Sequence, residues 1–439
     1  MVGCAIAAVV PFGTAAQTPD AGKTSVQATP PSTQASGPLA GSALYDDVKR
    51  YESFGIHRYG TSGANAALDW LAGRLQDAGL SVEQQRFSMG RQYFLDSANM
   101  AIDGKTIAVL PQWWIPEDKA SFELSAPIAA GNGDATGKFV RLHLPYDQGA
   151  YLNSKHRDAI NAALDRKPAA ILLTIGHPSG EIFTYNVAQT DTAWPVPVIL
   201  VAPKDEPLLE AAEQAGGAIT VSVKGHYGKD VEGRNVIGRL DRGKDLTVVV
   251  STPVTSWFTS TCERGPGIAL FLATASLAAR SLPEANFVFV ATAGHEIGHG
   301  GMEFFLHDRA PKPDGRVVWV HYGASLACYR QPVNGGQQEA APEVDARLRF
   351  LGTSESLAAP AVKAFLNVEA IKVIGDQAAV GELRDIKKAG YPNFFGMFGL
   401  HPLFHTPLDS AKMTGPAALE PVARAFADAI TEIVNKPPH

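Results

Sequence analysis

The fold is decided by the stretch Leu246-Thr247-Val248-Val249-Val250-Ser251, whose centre is a run of three valines. A run of branched apolar residues without polar alternation predicts a strand buried on both faces, as in a parallel sheet. A helix pattern follows at Pro266–Arg280, with a proline in its first turn. Asn286–Ala293 then has the pattern of a second buried strand. Strands alternating with helices in this way predict an open, mostly parallel sheet.

The alternation extends on both sides of this stretch. Strands are predicted at Asn235–Leu240, Arg316–His321 and Ile371–Ile374, and a helix is predicted at Ala417–Ile433. Together these elements predict an α/β fold, a three-layer α/β/α sandwich around a largely parallel mixed sheet. In such sheets, ligand sites form in the loops at the carboxyl ends of the strands.

A separate pattern of strands and helices interrupts the alternation. Between about residues 121 and 225, strand patterns such as Ala169–Ile175 and Val196–Val201 accompany a helical stretch at Glu206–Ala215. We therefore expect a β-rich domain inserted at residues 119–226. The main α/β domain would then comprise residues 43–118 and 227–439.

The N-terminal residues have the composition of a targeting segment. Val2–Gly13 is mostly small and apolar and leads into small residues that suit cleavage, which predicts a signal peptide over residues 1–16. No basic residue precedes Lys23. Residues 17–42 are rich in proline, serine, threonine and glutamine, which predicts a disordered linker. These features predict export to the periplasm or the extracellular medium.

Composition and charge exclude some classes of function. The 439 residues are 45% apolar and 19% charged, an ordinary balance for a globular protein. The net charge of −6 leaves no basic surplus to neutralise phosphates, so no nucleic-acid partner is expected. No apolar run of about 18 residues lies downstream of the N-terminus, so no membrane span is expected. Of the three cysteines, Cys262 and Cys328 would remain after cleavage, as one bridge or as thiols.

Residues suited to chemistry gather in the loops that follow the predicted strands. Glu263 and Arg264 lie in the loop that leads from Ser251 into the next helix, and His295 and Glu296 directly follow the strand ending at Ala293. Because the carboxyl ends of parallel strands meet at one edge of the sheet, these side chains are expected to share a cleft.

Four motifs carry a resemblance to a known family. Arg58–Gly63 (Arg-Tyr-Gly-Thr-Ser-Gly) resembles its opening motif, and Gly233–Gly238 resembles the entry to its catalytic sheet. Phe404–Asp409 (Phe-His-Thr-Pro-Leu-Asp) resembles its last metal-ligand loop. The family is that of the co-catalytic zinc aminopeptidases, with its glutamate-carboxypeptidase-like and glutaminyl-cyclase-like members. The inserted segment, with Trp194–Val198, resembles a protease-associated domain.

The resemblance implies a metal site from which part of the ligand set is missing. Pro253 and Thr255 stand where the family places a His and an Asp, and no Asp follows the strand that ends near His321. Ligands for a single zinc ion remain, and they are Glu263, Glu296 and His405. Two carboxylates, one imidazole and a water molecule make an open zinc site.

In this interpretation the protein is a divergent hydrolase of a peptide or related amide bond. His295 takes the place of the family's general base, and its ordinary pKa suits that role. Zinc would polarise the substrate carbonyl and lower the pKa of bound water. Substrate contacts or residues that support the ligands are expected among Arg264, His299, His321, Trp257 and Asp409.

Two alternatives stay open on the sequence. The first is a catalytically silent binding protein on a peptidase fold. The second is a metal-free hydrolase with Cys262 as nucleophile, since a helix start lowers the pKa of a thiol. The match of His295–His299 to the H-E-x-x-H zinc motif carries less weight. That chemistry needs both histidines on one continuous helix. Gly298 and the glycines that follow it disfavour a helix in this segment.

Overall fold

The computed structural model describes residues 37–332 and 343–438. The predicted signal peptide and residues 17–36 of the predicted linker lie outside the described residues. The last residues of that linker are described, and the first helix begins within them at Gly41.

The described residues form nine α-helices and fifteen β-strands. The helices are α1 (Gly41–Glu52), α2 (Ser62–Asp77), α3 (Ser154–Leu164), α4 (Glu206–Ala215), α5 (Thr261–Ser281), α6 (Gly300–Asp308), α7 (Ala358–Ala364), α8 (Glu382–Lys388) and α9 (Pro416–Asn435). The strands are β1 (Ser81–Ser88), β2 (Gln92–Ile102), β3 (Lys105–Pro111), β4 (Phe122–Pro127), β5 (Phe139–Pro145), β6 (Ala170–Gly176), β7 (Val198–Val201), β8 (Ala218–Gly228), β9 (Glu232–Leu240), β10 (Thr247–Pro253), β11 (Asn286–Thr292), β12 (Val317–Tyr322), β13 (Arg349–Thr353), β14 (Ile371–Ile374) and β15 (Asn393–Gly399).

Eight strands form the central sheet in the order β1-β9-β11-β10-β12-β15-β13-β14. Its middle strands β11, β10, β12 and β15 are parallel to one another. At the two sides of this group, β9 pairs antiparallel with β11 and β13 pairs antiparallel with β15. The carboxyl ends of the four parallel strands therefore lie together at one edge. The predicted α/β class and the largely parallel mixed sheet are confirmed.

Side chains on β10 show why the sheet has helices on both faces. Val248 and Val250 pack into the core formed with α1, α5 and α9, and Val249 packs into the opposite core formed with α6 and α8. All three are fully buried. Because neighbouring side chains of a strand point to opposite faces, a continuous apolar run needs a layer of helices on each side.

A second sheet of seven strands has the order β4-β8-β2-β3-β7-β6-β5. Its strands extend from Gln92 to Gly228, so β2 and β3 belong to this sheet and not to the main domain. Both strands precede the domain boundary predicted at residue 119. β2 pairs along most of its length with β8, and that partner lies more than 100 residues away in the sequence, so the local pattern did not reveal which sheet β2 joins.

Cys262 and Cys328 form a disulfide bond, with their Cα atoms 5.9 Å apart. The bond joins the first turn of α5 to the segment after β12, and both residues are buried. This resolves the alternative between a bridge and free thiols. It also corrects the proposal of Cys262 as a nucleophile, because a disulfide sulfur has no thiolate to attack with.

We predict that Cys328→Ala lowers the free energy of unfolding by about 2–4 kcal/mol, because the bond closes a loop of 66 residues in the unfolded chain. Urea denaturation of the variant and of the oxidised wild type measures the difference. The double variant Cys262→Ala/Cys328→Ala separates loss of the cross-link from the effect of a newly free thiol. An unchanged urea midpoint in the variant, and in wild type under reducing conditions, would contradict the prediction.

Candidate functional site

The loops that carry the predicted cleft residues lie at the carboxyl edge of the central sheet. The loop after β10 runs from Val254 to Ser260 and leads into α5, and the loop after β11 carries His295 and Glu296. His405 comes from the segment between β15 and α9. Parallel strands bring these segments together although they are far apart in the sequence.

Glu263 forms a buried ion pair with its neighbour Arg264. Arg264 Nη2 lies 2.8 Å from Glu263 Oε1, and the exposed fractions of the two side chains are 1% and 0%. The Ser256 hydroxyl donates to Glu263 Oε2 at 2.6 Å, and Arg264 Nε donates to the Thr255 carbonyl at 3.0 Å. Burial disfavours ionisation of Glu263, but the charges of Arg264 and His405 outweigh it and hold its pKa well below the usual range.

His405 lies beside this pair. Its Nδ1 atom is 2.9 Å from the Thr184 carbonyl, which fixes the proton on Nδ1 and leaves Nε2 as an acceptor when the ring is neutral. Nε2 is 3.4 Å from Glu263 Oε1. Neither of these two buried atoms has a hydrogen-bond partner among the described residues. Glu263 and His405 are thus brought together as predicted.

Asp409 holds the start of α5 rather than His405. Its carboxylate accepts from the Cys262 amide at 2.7 Å and from the Glu263 amide at 3.1 Å. His401 Nε2 is 3.3 Å from the same carboxylate. A carboxylate at a helix N-terminus satisfies amides that have no partner within the helix. This contact explains why α5 begins at Thr261, five residues before the predicted start at Pro266.

Glu296 accepts hydrogen bonds from two groups outside the Glu263–His405 pair. Its Oε1 accepts from the Tyr59 amide and its Oε2 from the Thr255 hydroxyl, both at 2.6 Å. Burial raises the pKa of the Glu296 carboxyl above its ordinary value. The structure therefore does not bring the three predicted zinc ligands together.

His295 belongs to a second polar cluster with residues of α8. Its Nδ1 lies 3.2 Å from Glu382 Oε1, and its ring stacks on that of His299 at 4.5 Å. His299 Nδ1 is 2.7 Å from Asp385 Oδ2. Burial, with Arg264 and His299 nearby, keeps the pKa of His295 well below its ordinary value.

Glu382 and Asp385 were not predicted from the sequence. They lie three residues apart in α8, a spacing that places two carboxylates on one helix face, and this spacing is the signal that could have identified them. His321 extends the same cluster toward the sheet, where its Nδ1 is 2.8 Å from the Ser251 hydroxyl. Burial lowers the pKa of His321 to about 4, so the ring is neutral at pH 7.

The H-E-x-x-H match is not a helical zinc motif. His295 lies in a short turn, Gly298 and His299 both have positive φ, and α6 begins only at Gly300. The two histidines nevertheless meet through ring stacking, but each binds a different carboxylate of α8.

The segment between β6 and β7 of the second sheet covers the Glu263 site. The Thr184 amide donates to the His405 carbonyl, and the Val187 amide donates to the Glu296 carbonyl. Trp257, a predicted substrate contact or supporting residue, donates through its indole nitrogen to Asn186 of the same segment at 2.8 Å. Glu263, Glu296 and His405 are consequently all 0% exposed.

The residues do not fit a zinc ion as the resemblance implied. Glu263 Oε1 and His405 Nε2 are spaced like two neighbouring ligands of a tetrahedral ion. The Arg264 guanidinium, however, already contacts that oxygen, and Glu296 supplies no third donor. Within residues 37–332 and 343–438, no group of three or more His, Cys, Asp or Glu side chains is arranged to hold a metal.

Solved structures with similar folds are peptidases, all at low sequence identity. A zinc aminopeptidase from Bacillus subtilis has a TM-score of 0.68 at 18% identity, with 90% of this chain and 95% of that chain covered. A peptidase precursor from Shewanella amazonensis has a TM-score of 0.64 at 16% identity, with 89% of this chain and 92% of that chain covered. An aminopeptidase from an Aneurinibacillus strain has a TM-score of 0.59 at 15% identity, with the same two coverages of 89% and 92%. No protein-family model and no curated protein matches the chain. The chain therefore has the fold of the zinc aminopeptidases, which confirms the fold that its motifs implied.

Proposed function

We propose that this chain is a zinc-independent binding protein built on an aminopeptidase fold. The observation that carries the proposal is the buried contact of Arg264 with Glu263, the carboxylate on which the predicted zinc site depends. The ligand class we propose is a peptide or a related amide, which the fold was expected to bind. Cleavage through a metal is not part of this proposal.

Electrostatics favours this proposal over a metal site. The Arg264 guanidinium is a cation. A zinc ion next to it would face a like charge in a site without solvent, where such repulsion is strongly felt. The guanidinium already neutralises Glu263, so a second cation at this site would have no unpaired negative charge of Glu263 to balance it. The cover provided by the inserted domain further favours binding elsewhere over catalysis at this position.

A single-zinc hydrolase with His295 as general base is the second candidate. It is favoured by the 3.4 Å spacing of Glu263 Oε1 and His405 Nε2 and by the absence of hydrogen-bond partners for both atoms in the described part of the chain. It requires that Arg264 leave the carboxylate and that Glu296 give up two short hydrogen bonds. These requirements make it the weaker of the two candidates.

Export from the cytosol and a protease-associated character of the inserted domain also belong to the proposal. The buried disulfide supports export, because such bonds persist mainly in oxidising compartments. None of the helices in residues 37–332 and 343–438 has the length and apolar character needed to span a membrane. The self-contained second sheet supports a protease-associated-type insertion.

We predict that protein purified without chelators contains far less than one zinc ion per chain and does not hydrolyse aminoacyl-p-nitroanilides. Elemental analysis and an absorbance assay measure the two quantities, with and without added zinc. His405→Ala is the matched variant, since it removes one of the two donor atoms that remain suitably placed. About one zinc per wild-type chain, lost in His405→Ala, would refute the proposal and favour the hydrolase.

We further predict that Arg264→Gln lowers the free energy of unfolding by about 3–5 kcal/mol, because it leaves the buried Glu263 carboxylate without its cation. The double variant Glu263→Gln/Arg264→Gln should lose less, since no unpaired charge remains. Urea denaturation of wild type, both single variants and the double variant gives the coupling energy. Additive effects of the two substitutions would show that the pair is not coupled and would contradict the prediction.

A further inference from the structure

A cavity of about 390 Å³ lies between the start of α2, the loop after β10 and the second sheet. Its walls are mostly apolar and include Phe54, Leu95, Leu110, Trp113, Trp257 and Phe258. Ile56 lies at its rim and is 54% exposed, so the cavity communicates with solvent. Its volume is in the range of pockets that hold small ligands. Glu263, Glu296 and His405 do not line it.

One buried cation lines this apolar cavity. Arg58 is 6% exposed, and its guanidinium carbon lies 4.6 Å from the Trp113 ring centre and 5.2 Å from that of Phe94. Its Nη1 atom is buried and has no hydrogen-bond partner among the described residues. Burial lowers the pKa of Arg58 to about 10, so the side chain is still charged at neutral pH.

No acceptor among residues 37–332 and 343–438 bonds to Arg58 Nη1. Glu296 is close enough to favour its charged form, but both oxygens of that carboxylate accept from Tyr59 and Thr255 instead. Arg349 provides a contrast within the same protein. It is also buried, with its pKa lowered to about 10, but it donates through Nε to the Glu369 carbonyl. A buried arginine with a donor that lacks a hydrogen-bond partner is consistent with an acceptor supplied by a ligand.

The first turn of α2 adds a second source of positive potential at the same cavity. Ser62 and Gly63 line it, and the amides of a helix start have no partner within the helix. The Thr61 hydroxyl accepts only from the Ala64 amide further along the helix. A Cβ atom at Gly63 would lie 2.3 Å from the Ile56 carbonyl oxygen, so glycine allows the Phe54–Arg58 segment to pack against this helix start.

We infer that this cavity binds a carboxylate attached to an apolar group, such as the C-terminal end of a peptide with a hydrophobic last residue. The carboxylate would contact Arg58 and the start of α2, since guanidinium and helix-start amides both favour anions. The apolar group would lie between Trp113, Trp257 and Phe258, where its burial stabilises the complex. The inference rests on the proposed binding function and assigns its ligand class and position.

Isothermal titration calorimetry of the full chain with N-acetyl-phenylalanine and with its C-terminal amide tests the inference. We expect the acid to bind about tenfold or more tightly than the amide, because the amide loses the charge-assisted hydrogen bonds. A short peptide with a C-terminal phenylalanine should behave like the acid. A peptide with phenylalanine only at an internal position should bind no better than the amide.

Two variants connect the preference to the cavity. Arg58→Gln should reduce affinity for the acid to that for the amide. Ile56→Asp places a negative charge at the exposed rim, where folding is little affected, and should weaken binding of the acid several-fold more than that of the amide. Ile374→Asp is the matched control, because Ile374 is 49% exposed on β14 and does not line the cavity. It should leave both affinities unchanged.

Equal binding of acid and amide, no binding of either probe, or an unchanged preference in Ile56→Asp would each overturn the inference. Zinc content and peptidase activity measured on the same preparation test the proposed function separately. Stoichiometric zinc with an intact preference for the acid would refute zinc independence while supporting the carboxylate cavity. No zinc together with equal binding of acid and amide would refute the cavity assignment alone.

Discussion

The buried ion pair of Glu263 and Arg264 is the constraint on which the arrangement of the loops depends. Neither side chain reaches solvent, so neither charge is tolerable without the other. The rest of the edge is arranged to keep both in place. Ser256 donates to Glu263 and the Thr255 carbonyl accepts from Arg264. Asp409 and the disulfide fix the first turn of α5, from which both side chains project. A permanent cation thus stands where the family resemblance implied a metal.

The fold could be predicted where local pattern and burial coincide. The valines of β10 required cover on both faces, and two helical layers provide it. The helix Glu206–Ala215 and the strand Ile371–Ile374 have the predicted bounds because glycines and a proline punctuate the sequence around them. The place of β2 in the second sheet was not predicted, since it depends on pairing with the distant β8. Local pattern contains no information about such a partner.

The candidate site could be predicted only in part, for a similar reason. Glu263 was expected at the carboxyl edge because it follows a predicted strand, and His405 was expected there because its loop resembles the last metal-ligand loop of the family. The direction of each side chain depended on partners supplied by other elements. The Tyr59 amide and the Thr255 hydroxyl donate to Glu296, and Glu382 of α8 contacts His295. A motif specifies which residues are near each other, whereas competing hydrogen bonds decide which of them meet.

Two buried arginines near the loop after β10 differ in what surrounds them. Arg264 contacts Glu263, a carboxylate of its own chain, and neither side chain reaches solvent. Arg58 has no such carboxylate contact within the described part of the chain and lines an apolar cavity that communicates with solvent. Leaving a buried donor unpaired is unfavourable unless a ligand supplies the acceptor. We therefore propose the ligand site at Arg58, where the guanidinium adjoins a cavity open to solvent, and not at Arg264, which is enclosed.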